Sequence, residues 1–117
     1  MAEEVYSLRY AVLRHEGIPE PHYDLLFETT AGSVLAAWRA PGWPVGEDGV
    51  VTPLPDHRRV YLEYEGPVSG NRGTVRRVAE GHHRVQKSTP GMLVVQLENG
   101  RVLRLRRASF TTESTEK

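Results

Sequence analysis

The chain has 117 residues, no cysteine and a formal net charge of zero. A chain of that size buries one modest core, and the missing thiols exclude disulfides and thiolate metal sites. The longest apolar runs span only a few residues and no secretory signal is read, so a soluble, cytoplasmic, monomeric single domain is expected, with its core from about residue 5 to 109. In chain order, Tyr6 to Arg14 alternates loosely as a strand. His22 to Glu28 and Ser33 to Trp38 then form an expected hairpin across Thr30-Ala31-Gly32. Residues 39 to 57 are dominated by Pro, Gly and acids and read as an irregular loop, with one short strand near Val50-Val51. Arg58 to Glu63 reads as a short strand or a helical turn. Thr74 to Glu80 and His82 to Gln86 are expected to pair as a hairpin around Gly81. Met92 to Leu97 and Arg101 to Arg107 flank Asn99-Gly100, a dipeptide suited to a type I′ turn. No segment sustains a 3.6-residue apolar period, so the fold class is all-β, a compact β-barrel with short helical turns at most.

The chemistry concentrates in His22-Tyr23-Asp24. On a strand, residues i and i+2 share a face, so His22 and Asp24 project side by side with Cα atoms about 6.5–7 Å apart. Tyr23, Leu25 and Phe27 face the other way and are expected in the core with Leu35, Leu93, Val95, Leu103 and Leu105. Adding His15 makes a His2Asp set suited to a divalent metal. His57 with Tyr61 adds acid–base and phosphate-binding groups. Other residues carry blander readings. His82 and His83 are expected at the surface, Trp38 in the core, and the run from Gly70 to Gly73 as a plain turn.

An ordered set of segments carries a family resemblance. It comprises Tyr10-Ala11-Val12-Leu13-Arg14-His15, then His22-Tyr23-Asp24-Leu25-Leu26-Phe27-Glu28, then Leu35 to Trp38. Asp56-His57 with Tyr61, Glu65-Gly66 and Arg72-Gly73-Thr74-Val75 complete it. Together these resemble the 3′-phosphoesterase domain of bacterial DNA ligase D, over roughly the first two thirds of the chain. The resemblance implies a compact β-barrel that binds Mn2+, with Zn2+ or another divalent ion as alternatives. It also implies removal of a 3′-ribonucleotide or 3′-phosphate from nucleic-acid ends in DNA repair. His15, His22 and Asp24 would hold the metal. His57 would bind or protonate the phosphate, and Tyr61 would hydrogen-bond it. DNA or DNA/RNA primer ends, and end-joining repair proteins, are the implied partners.

The sequence departs from that pattern at two places. Leu26 stands where the family usually has an arginine, and Glu47 to Asp56 contains no basic residue where the family has another. A guanidinium offers fixed charge and a bidentate fork that leucine lacks, so Arg14, Arg58, Arg59 or Arg72 would have to bind the phosphate. A catalytically impaired nucleic-acid- or partner-binding module that keeps barrel and pocket is the alternative reading. Charge distribution bears on both. Residues 1–57 carry three arginines against nine acids, while residues 58–107 carry eleven Lys or Arg against four acids. A basic half suits a nucleic-acid partner, although opposite charges on interleaved strands also pair across a sheet.

Overall fold

The computed structural model describes residues 6–46 and 50–107. Among them are eight strands and a single 3-10 turn, with no α-helix. The strands are β1 (Leu8–Glu16), β2 (His22–Glu28), β3 (Leu35–Ala40), β4 (Thr52–His57), β5 (Gly66–Pro67), β6 (Thr74–Thr89), β7 (Met92–Leu97) and β8 (Val102–Arg106). The 3-10 turn, η1, spans Arg59–Leu62. One antiparallel sheet runs in the order β4-β3-β2-β1-β6-β7-β8, with β5 added beside β6. It curls into a half-barrel whose edge strands β4 and β8 approach each other. The Trp38 indole donates from β3 to the Arg106 carbonyl on β8 at 2.7 Å, which ties the two ends of the curl.

Strands β1 to β3 bury both faces at their centres, where Tyr10 to Leu13, Leu25 to Phe27 and Leu35 to Trp38 are continuous apolar runs. The concave face packs Tyr10, Val12, Leu25, Phe27 and Trp38 against Leu93, Val95, Leu97, Leu103 and Leu105. The opposite face packs Ala11, Leu13, Leu26, Leu35 and Ala37 against Leu62 of η1 and Val75 of β6. The expected core is observed on these two layers, with Tyr23 at the margin of the first. Residue parity then dictates what lies beyond the second layer. Following Leu13 comes His15, preceding Leu26 come Asp24 and His22, and following Ala37 comes Arg39.

Several local expectations are corrected. Residues 74–89 form one continuous strand, not a hairpin, and Gly81 lies mid-strand opposite Tyr10. A Cβ there would meet Tyr10 Cε1 at 3.1 Å and Glu98 Oε2 at 2.6 Å, so the glycine serves close approach. The Asn99-Gly100 connection is a three-residue loop: Gly100 N–H donates to the Leu97 carbonyl, and in that loop only Gly100 takes a positive φ. That is a type I turn followed by a left-handed residue, where type I′ needs two. The short strand expected at Val50-Val51 begins instead at Thr52, with Pro53 and Pro55 tolerated because β4 is an edge. His83 is fully buried and His82 exposed, because neighbours on a strand face opposite sides. Residues 1–5 and 108–117, which include both limits of the expected core at about 5 and 109, lie outside the described residues.

Candidate metal centre and cleft

The antiparallel register sets His15 directly opposite His22, and Asp24 opposite Leu13 on one side and Arg39 on the other. The imidazoles of His15 and His22 meet edge to face at 5.0 Å between centroids. One donor atom from each of His15, His22 and Asp24 lies within 4.8 Å of the other two. Asp24 Oδ1 is 3.1 Å from His22 Nε2, and Asp24 Oδ2 is 3.6 Å from His15 Nδ1. His22 and Asp24 are only 5% and 4% exposed.

The hydrogen bonds around the trio decide what it can hold. His15 Nε2 lies 2.7 Å from the Arg72 carbonyl, and His22 Nδ1 lies 2.8 Å from the Glu20 carbonyl. A carbonyl only accepts, so both nitrogens must carry the proton. In the neutral rings that leaves His15 Nδ1 and His22 Nε2 as lone pairs, and both face the Asp24 carboxylate. Asp24 Oδ1 is buried with no hydrogen-bond donor among the described residues. With both rings neutral, three acceptors sharing one negative charge converge on one point, an arrangement suited to a cation. The donor set fits Mn2+ or Zn2+, and three protein ligands leave coordination positions open. The backbone acceptors that orient the two rings are the outer-shell partners such a site requires.

The trio opens into a cleft of about 470 Å³. Across it stand Asp56 and His57 from the end of β4, Arg58 and Tyr61 from η1 and its approach, and Arg39 and Arg72 at the walls. His57 Nδ1 donates to the Pro55 carbonyl at 3.0 Å, which leaves Nε2 able to accept a proton, and its ring packs edge to face on Tyr61 at 5.8 Å. The Arg58 guanidinium lies 5.9 Å from the Tyr61 ring centroid. Of the four arginines expected to bind phosphate, the structure brings Arg58 and Arg72 to the cleft. Arg14 faces the other side of β1, where it bonds Glu16 at 3.0 Å and lies 4.8 Å above the Tyr23 ring. Arg59 is engaged by the Glu28 carboxylate and by the Ser33 carbonyl at 2.8 Å.

Two residues that shape the cleft were not read from the sequence. Arg39 lines the cleft beside Asp24, and extending the β2–β3 pairing one residue past Trp38 would have found it. Glu28 is the second. Burial alone would push its carboxyl up, yet the Arg9 N–H at 2.7 Å, the Arg59 guanidinium and the Gly32 N–H hold it below the usual carboxylate range. This buried carboxylate pins η1 against β2, and so sets where Arg58 and Tyr61 stand. Leu26, which the resemblance sets against an arginine, is fully buried among Leu13, Leu35, Leu62 and Val75. No family model and no curated protein matches this chain.

Proposed function

We propose that the protein is a metal-dependent 3′-phosphoesterase that removes a ribonucleotide or phosphate from nucleic-acid 3′ ends. The observation that carries this reading is the convergence of two oriented imidazole nitrogens on the buried Asp24 carboxylate, whose Oδ1 has no donor among the described residues, in a cleft also lined by guanidinium groups. His15, His22 and Asp24 would hold the ion. A bound divalent cation supplies Lewis-acid polarisation of a phosphoryl oxygen. The chain's own groups account for the rest. His57 Nε2 has the freedom to accept or return a proton at the phosphate, since Nδ1 is fixed by the Pro55 carbonyl. The Tyr61 hydroxyl would hydrogen-bond a phosphate oxygen. Arg58 and Arg72 would add positive charge at the mouth, which favours an anionic substrate in the cleft.

The same cleft also supports a second reading, a module that binds nucleic acid with little turnover. It is favoured by Leu26, whose burial in the apolar layer leaves no guanidinium on that face of β2 next to Asp24. One assay separates the two. A primer bearing a 3′-ribonucleotide or 3′-phosphate is incubated with Mn2+ and the protein, its His22→Ala variant, or neither. Metal-dependent trimming that His22→Ala abolishes supports the enzyme. Salt-sensitive primer binding without trimming supports the module, and neither activity overturns both.

A further inference from the structure

Arg39 has no place in the resemblance, yet its position invites one. It is the cross-strand partner of Asp24, on the face that carries the metal trio. Directly opposed side chains on one sheet face start about 4.5–5.5 Å apart at Cβ, within easy reach of a shared small ligand for a residue as long as arginine. Asp24 does not take the guanidinium as an ion-pair partner, because its carboxylate is turned to His22 and His15. Arg39 is exposed, and its side chain makes no hydrogen bond or ion pair among the described residues. The other cleft arginines are partly committed: Arg72 donates to the Ser69 carbonyl at 2.7 Å, and Arg58 lies over Tyr61. Arg39 also lines, with His22, an adjoining cleft of about 310 Å³ walled by Pro21, Pro41 and Thr52. It thus stands on the wall between the trio's cleft and its neighbour.

We propose that Arg39 is the cleft's principal phosphate fork, gripping two oxygens of a phosphate group whose third oxygen faces the His15, His22 and Asp24 trio. This rests on the phosphoesterase reading in that it takes the trio as a metal site. It goes further by assigning the anion grip to a residue on β3. The guanidinium is planar, permanently charged and matched to two phosphate oxygens, a geometry that lysine does not reproduce. An arginine here compensates in chemistry for the apolar Leu26, one strand away.

Inorganic phosphate and Mn2+ are the probes. Mn2+ affinity is read from line broadening of the His15 and His22 ring signals. Phosphate affinity is read from the relaxation of its 31P signal in the Mn2+-loaded protein, and from amide shifts in the metal-free protein. We expect Arg39→Gln to weaken phosphate by about tenfold to a hundredfold, the scale of a charge-assisted hydrogen-bonded pair. Arg39→Lys should recover only part of that loss. Mn2+ affinity should change less than about twofold in both, and Arg106→Gln on the far strand β8 should change neither. Phosphate binding unaltered by Arg39→Gln while Mn2+ still binds overturns the assignment and leaves the metal reading intact. Loss of Mn2+ binding in the unmodified protein, with phosphate still dependent on Arg39, upholds the fork and removes the metal reading. Absence of both overturns both.

Discussion

Replacing Asp24 by asparagine separates the two halves of the site's energetics. In the metal-free protein Asp24 is 4% exposed, and its Oδ1 lies 3.1 Å from His22 Nε2 with no donor among the described residues. An asparagine amide presents N–H groups to that nitrogen and removes a buried charge. One neutral hydrogen bond gained contributes about 0.5–1.5 kcal/mol, so metal-free Asp24→Asn should be more stable than the unmodified protein by roughly that amount. Metal acts in the opposite direction. An ion that binds only the folded state at a hundredfold over its Kd stabilises by about 2.7 kcal/mol. For a 117-residue chain, 1 kcal/mol moves Tm by about 4 °C, so saturating Mn2+ or Zn2+ should raise Tm by about 10 °C. Asp24→Asn should lose most of that rise while starting from a higher baseline. Calorimetry with and without each ion measures both quantities. A lower Tm for metal-free Asp24→Asn would mean that a proton already bridges His22 and Asp24, and would refute the donorless-carboxylate argument. A full metal-induced shift in the variant would refute the ligand assignment.

The remaining expectations concern the frame that holds the site. Gly73 has φ +78°, and a Cβ there would lie 2.1 Å from the Glu16 carbonyl oxygen. Gly73→Ala should therefore cost about 1–2 kcal/mol for the left-handed backbone and a further 1–3 for the clash, read by urea denaturation, and should disturb the His15–Arg72 contact next to it. Trp38→Phe removes the indole bond from β3 to the Arg106 carbonyl on β8 and leaves that acceptor unpaired; a loss of about 1–3 kcal/mol is expected in the same assay. Stability should also fall in acid. Burial holds the His83 imidazole below its ordinary 6.5, although its bond to the Glu28 carbonyl opposes this, so the unfolded chain binds a proton that the folded chain refuses. The stabilisation is complete above 6.5 and declines as pH falls toward the folded value, a slope that His83→Phe should flatten. Glu28, also held below its ordinary 4.5, adds a second loss at lower pH with the same sign, which His83→Phe should leave in place.

The boundary between what the residues foretell and what they do not follows interaction range. The pairing of His22 with Asp24 is an i, i+2 relation, and it is legible because strand parity is local. The β2–β3 hairpin was legible for the same reason, and its register already implied that Asp24 faces Arg39 once the strand is carried past Trp38. Glycine misled in two places. At Gly81 it admits Tyr10 and Glu98 into the middle of a long strand, although in sequence it looks like a turn. At Gly100 the turn was correctly located, but its type depends on loop length, which the flanking strands set. His83 looked like a surface residue because its burial is provided by Tyr10 and Phe27, from strands more than fifty residues away.

The least legible part is the His15, His22 and Asp24 trio itself. Which nitrogen of His15 is free for an ion is decided by the Arg72 carbonyl, fifty-seven residues along the chain. Which nitrogen of His22 is free is decided by the Glu20 carbonyl, two residues back. Both acceptors are backbone groups that any residue would supply, so no side-chain pattern records them. What can be read instead is the backbone geometry that brings the first one in. Gly73, next to Arg72, packs against the Glu16 carbonyl so closely that a side chain would collide with it. That approach presses the 72–73 segment onto the end of β1, where His15 lies. The glycine in Arg72-Gly73-Thr74-Val75 is thus a physical requirement of the His15 tautomer, and through it of the ligand atom the site presents.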